Sequence, residues 1–172
     1  MRIPALPMTV LPMFAAIATT LLPAAANAQV TRINRNPNAF ILEAAKVGAG
    51  TEMIFLSGQL AAPLDPKKPM AENKSIEDYG DTKTQTVSTF NKIKDLLATQ
   101  GYSMADVIKL TLFVAADPKL GKMDFAGANA GYKEFFGTAE NPNLVARSTF
   151  QVAALVGPQY LIEIEAIAAK KK

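Results

Sequence analysis

The chain has 172 residues, 49% of them apolar and 19% charged, the size and balance of one globular domain with little room for a second. It contains no cysteine and no histidine, which excludes thiol and imidazole nucleophiles, a histidine general base, a disulfide framework and almost every zinc site. The net charge of +3 comes from 18 basic and 15 acidic side chains. Part of the excess is the terminal run Lys170-Lys171-Lys172 rather than a basic stripe, so the charge carries no nucleic-acid footprint.

In chain order, residues 1–28 carry a single charge, Arg2, an apolar run from Leu11 to Leu22 and a small-residue ending at Ala26-Asn27-Ala28. This is the pattern of a cleaved secretory signal peptide; the alternative is an uncleaved anchor. The run is interrupted by prolines, is too short to span a bilayer as a stable helix, and no second apolar stretch follows it. Cleavage after Ala28 leaves residues 29–172 as a single domain, periplasmic or secreted and without stable membrane insertion. The missing cysteines fit an oxidising compartment.

Gln29 to Asn38 is polar and rich in Asn and Arg, and reads as an arm or loop. An apolar stretch runs from Phe40 to Val47, and Gly48 and Gly50 mark a turn. Glu52 to Leu60 predicts a buried strand ending at Ser57-Gly58-Gln59, followed by a loop holding Pro63, Pro66 and Pro69. From Asp81 the period changes to 3.6, with Val87, Phe90, Ile93, Leu96 and Leu97 as the apolar stripe and Gly101 closing the helix. Val107 to Ala115 is the next strand. A second helix spans about Met123 to Phe136, and two last strands, Ala146 to Leu155 and Gln159 to Ala168, are joined as a hairpin at Val156-Gly157-Pro158. The order is β-β-α-β-α-β-β, an α+β domain with one mixed sheet and both helices on one face. Two helices leave the other, partly apolar face uncovered, which marks an oligomer interface.

Several segments together resemble the RidA/YjgF family: IFLSGQL at 54–60, Gln85-Thr86 early in the first helix, Gly101-Tyr102-Ser103 before Asp106-Val107-Ile108-Lys109, NAGYKEFF at 129–136, ARSTFQVAAL at 146–155 and IEIEAIA at 162–168. The resemblance covers residues 52 to 168. It implies a chorismate-mutase-like fold of the bacillus type, assembled as a homotrimer around a central barrel with clefts between subunits. It also implies hydrolysis of reactive enamines and imines of small amino acids to 2-keto acids and ammonia, as in 2-iminobutanoate/2-iminopropanoate deaminases, with no cofactor and no metal.

Imine hydrolysis needs a carboxylate anchor, a placed water and a proton donor. Arg147 opens a strand of apolar and small polar groups; it is either a strand-end side chain reaching for water or the anchor, a role its forked guanidinium suits. The resemblance implies the anchor. Glu163 and Glu165 share one strand face, which is either a solvated polar face or, for Glu163, the place of the water, as the resemblance implies. Thr149 matches a position whose main-chain carbonyl shares that task. Gly58 either ends a strand or offers an N–H to the carboxylate. Asn129 is either a surface amide or a cleft residue. Tyr132, Phe135 and Phe136 are expected in the core.

The chain departs from the family where Ala39-Phe40-Ile41 stands for the usual Gly-Pro-Tyr, where Val145 stands for the usual Pro before Ala-Arg-Ser, and in a turn at 155–158 that is one residue longer. Two functions fit: a hydrolase of C=N bonds, or a non-catalytic trimeric small-molecule-binding or chaperone-like module in the periplasm. Ribonuclease chemistry, ascribed to relatives, has no histidine and no basic groove to serve it.

Overall fold

The computed structural model describes residues 30–171; the signal peptide expected at 1–28 lies outside the described residues. Strand β1 (Val30–Ile33) pairs antiparallel with β2 (Ala44–Val47) as a separate ribbon. The polar segment read as an arm therefore holds a strand, and the reason is tertiary. Arg32 donates from Nη1 to the carbonyls of Val107 (3.0 Å) and Leu144 (2.8 Å) and from Nη2 to that of Ala105 (2.7 Å). These charge-assisted bonds tie the ribbon to the body of the domain.

The main sheet contains β3 (Thr51–Leu60), β4 (Val107–Val114), β5 (Ala146–Gln151) and β6 (Ile162–Lys171), in the order β3-β6-β4-β5. Helix α1 (Thr82–Thr99) connects β3 to β4, and α2 (Phe125–Tyr132) connects β4 to β5. Parallel strands need such crossovers, and β4 and β5 are parallel while β6 runs antiparallel between β3 and β4. Crossovers of one hand that step twice in the same direction place both helices on the same face. That face carries the core, where Leu110, Leu112, Ile162, Ile164 and Ala166 meet Phe90, Ile93, Leu97, Tyr132 and Phe136.

The expected hairpin between the last two strands does not form. β4 lies between them, and the connection passes over its end: Val152 N–H donates to Val114 O, and Ala115 N–H donates to Leu161 O. The Gly157-Pro158 turn belongs to that longer connection. Gln85 of α1 holds its far end, accepting from Leu161 N–H at 2.9 Å and donating to the carbonyls of Gln159 and Gly80. A buried polar side chain early in α1 thereby sets where β6 begins.

Helix α1 starts as expected, with Asp81 accepting from Thr84 N–H at 2.8 Å, and Gly101 follows it at φ 71°. Its buried face differs from the apolar stripe: Gln85, Thr86 and Thr89 are buried with Phe90, Ile93 and Leu97, while Leu96 is 38% exposed. The cause is a close crossing with α2. A Cβ on Gly131 would stand 2.7 Å from the Thr86 Cβ, so glycine on one helix and a small polar side chain on the other bring the backbones together.

Among the described residues no helix covers the opposite face of the sheet. Phe55, Lys109, Thr111, Phe113, Ser148, Phe150, Glu163, Glu165 and Ile167 share it by register. Phe55 is 69% and Phe150 53% exposed, well beyond the usual state of phenylalanine.

Candidate functional site

Arg147 lies near the start of β5, an edge strand, in register with Leu110, so its side chain rises on the helix-covered face. Helix α2 supplies its surroundings. Phe125, Asn129 and Tyr132 stand four and three residues apart and share one helix face. Arg147 Nη2 donates to Asn129 Oδ1 at 2.6 Å, and the guanidinium carbon is 4.6 Å from the Tyr132 ring centre, 5.3 Å from that of Phe40 and 5.9 Å from that of Phe125. Burial lowers the guanidinium pKa, opposed by the Tyr132 oxygen, but an arginine remains charged at any working pH.

No carboxylate among the described residues pairs with this cation. Its Nη1 is buried without an acceptor. Aromatic faces offset part of the cost of a half-buried charge, and the rest favours an anion. Thr149, two residues on and on the same face, also has a buried hydroxyl without a partner. Tyr132 donates its hydroxyl to the Phe40 carbonyl at 3.1 Å. Burial raises its pKa, so it acts as a neutral donor that fixes the Phe40 loop.

Gly58 and Glu163 form a second cluster. Gly58 lies within β3, at the irregularity where Leu56 and Gln59 pair with Ala166 and Ile164 of β6, and not at the strand end that the sequence suggests. A Cβ there would collide with the Glu163 carboxylate, coming within 2.6 Å of its Cδ. The missing side chain leaves the room that the Glu163 carboxylate occupies. Glu163 is in register with Phe113 on the open face. With Phe113, Leu155, Val156 and Glu165 it lines a hollow of about 490 Å³.

Of the five residues singled out in the sequence, the fold thus gathers Arg147, Asn129 and Thr149 on one side of the sheet and Gly58 with Glu163 on the other. Tyr132 is in the core as expected but also floors the Arg147 site; Phe125 was not read as a site residue, and Phe40 was read only as part of the segment Ala39-Phe40-Ile41 that departs from the family at a cleft wall. Helical spacing from Asn129 would have found Phe125 and Tyr132. Phe40 reaches the site through a tertiary contact that leaves no local signal.

These features define a mixed α+β domain with an anion-seeking arginine beneath a helix. Residues 43–170 match the family model described as Endoribonuclease L-PSP. A RutC family protein of Pyrococcus horikoshii is 37% identical over 118 residues, covering 69% of this chain and 79% of the relative. The 2-iminobutanoate/2-iminopropanoate deaminase of Escherichia coli K12 is 34% identical over 119 residues, covering 69% and 80%. Among solved structures, the Escherichia coli YjgF gene product matches at 34% identity and TM-score 0.51 over 69% of this chain and 81% of its own. Escherichia coli TdcF with bound serine matches at 31% and 0.52, over 73% and 85%. The chain belongs to the RidA/YjgF family.

Proposed function

We propose that this protein hydrolyses the C=N bond of imino acids, and of the enamines in equilibrium with them, derived from small amino acids, releasing 2-keto acids and ammonia. The observation that carries the reading is Arg147, a half-buried cation whose buried Nη1 has no acceptor and which has no counter-anion among the described residues, the complement of a substrate carboxylate. Because Glu163 faces the other side of the sheet, the reading requires a homotrimer around a central barrel, with edge strand β5 and its Arg147 beside Gly58 and Glu163 of a neighbouring subunit. The uncovered face with Phe55 and Phe150 supports that assembly.

In this scheme Arg147 and the Gly58 N–H hold the carboxylate, and Asn129 orients the guanidinium. A water aligned by the Thr149 carbonyl gives one proton to Glu163 as its oxygen bonds the imine carbon, and Glu163 passes that proton to the nitrogen, forming the carbinolamine. Glu163 then takes the proton of the new hydroxyl and delivers it to the amine as the C–N bond breaks, so the carbonyl forms and ammonia leaves. The small carboxylate is the partner, with no nucleic acid, metal or cofactor in the scheme.

The test is keto-acid formation from freshly generated 2-iminopropionate by protein shown to sediment as a trimer. Acceleration over buffer is expected. Binding of 2-keto acids without acceleration would instead establish the non-catalytic binding module, and a stable monomer would refute the shared site. We also propose export by cleavage after Ala28, checked by N-terminal sequencing of the exported protein, which should begin at Gln29.

A further inference from the structure

We infer that the Arg147 site selects ligands with a bulky apolar side chain next to the carboxylate, and that Phe40 and Phe125 set this preference. For turnover the inference rests on the deaminase reading; for binding it does not. Single exposed apolar residues are ordinary. Here two phenyl rings from separate elements, 37% and 44% exposed, flank one half-buried guanidinium at 5.3 and 5.9 Å. A ligand whose carboxylate reaches Arg147 arrives beside both rings.

Both rings sit on segments fixed by contacts within the chain. The Tyr132 hydroxyl bonds the Phe40 carbonyl, the two rings meet edge to face at 6.3 Å, and Leu42 N–H donates to Val145 O at 2.9 Å. Phe125 begins α2, whose first turn is capped by Asp124 accepting from Gly127 N–H at 2.8 Å, while Met123 N–H donates to Gln151 Oε1 at 2.8 Å. A wall already ordered costs little entropy on binding. The nearby polar groups are engaged: Asn129 Oδ1 by Arg147 and the Tyr132 hydroxyl by Phe40. The group that would favour a different, acidic side chain is Lys133, whose Nζ is 5.4 Å from the Phe40 ring centre.

Calorimetry with pyruvate, 4-methyl-2-oxopentanoate, phenylpyruvate and 2-oxoglutarate tests this, with kcat/KM on the corresponding imines measured in parallel. Burying each added methylene strengthens binding about fourfold, so phenylpyruvate and 4-methyl-2-oxopentanoate should bind roughly 10- to 50-fold more tightly than pyruvate. Phe40→Ala, Phe40→Leu and Phe125→Ala should each shrink that ratio, with Phe40→Leu retaining the most, while sedimentation stays that of the parent. The affinity trend without turnover of any imine would overturn the deaminase reading and leave this inference standing. Turnover with flat affinities, tighter binding of 2-oxoglutarate than of phenylpyruvate, or ratios unchanged in the variants would overturn the inference alone. Loss of assembly in both the alanine and leucine variants would make the rings a subunit contact and overturn it as well.

Discussion

Replacing Arg147 with Ala acts on stability and on ligand binding through different terms, and their sizes separate a binding residue from a structural one. The folded chain loses a charge-assisted bond to Asn129 Oδ1, worth about 1.5–3 kcal/mol, and three aromatic contacts at about 0.5–1 kcal/mol or more each. It also sheds a half-buried charge without a counter-anion, a relief of several kcal/mol that opposes those losses. The net change in stability should stay within about 2 kcal/mol, a Tm shift of no more than about 8 °C for a domain of this size. A bound carboxylate has no such offset. Losing its charged partner costs about 2–5 kcal/mol, or roughly 30- to several-thousand-fold in affinity and in kcat/KM. Arg147→Lys keeps the charge but not the planar fork, and should still lose about 10- to 100-fold because the imine carbon is misplaced. Calorimetry with 2-ketobutyrate, thermal melts and kcat/KM on 2-iminopropionate measure the three quantities. If Arg147→Ala unfolds the protein, or binds 2-ketobutyrate as well as the parent, Arg147 is structural and the site is wrongly assigned.

Glu163→Gln should lower kcat by about 10²- to 10⁴-fold while changing affinity for 2-ketobutyrate by no more than about threefold, since it alters the water and not the anchor; steady-state kinetics beside calorimetry separate the two. Gly58→Ala should push the Glu163 carboxylate aside and reduce kcat/KM by roughly 10- to 100-fold, with circular dichroism unchanged because the side chain that must yield is flexible. Asp78 has its pKa lowered to about 2, first by the hydrogen bond from Lys68 and then by the Ser75 N–H. A folded pKa below the unfolded one contributes stability above about pH 4, which is lost as the pH falls toward about 2. Thermal melts between these limits should show a decline that Asp78→Asn reduces.

The local elements were legible because their determinants are local. Asp81 and Gly101 bracket α1, alternation marks β4, and α2 forms where spacing places it but spans only Phe125–Tyr132 of the expected 123–136, with turns following from residue 133. Long-range pairing was not. A Gly-Pro turn between two short apolar strands suggests a hairpin, but the same residues also serve a connection passing over the end of β4. The rule that strands joined through a helix run parallel would have placed β5 against β4. Nothing local reveals that β6 occupies the gap between β3 and β4, because backbone hydrogen bonds have the same chemistry whichever strand supplies them.

The same distinction holds at the site. The type and order of Arg147, Thr149, Glu163, Gly58 and Asn129 in the chain were enough to suggest imine chemistry by resemblance. Only the tertiary structure divides them between two faces of one sheet, since a strand's own alternation sets sides relative to itself and not to another strand. It was likewise the fold that brought Phe40, from before β2, and Phe125, from the start of α2, onto one guanidinium. The sequence by itself determined which groups can do the chemistry, because side-chain identity sets charge and hydrogen-bonding capacity. Which of them meet was decided by packing between segments far apart in the chain.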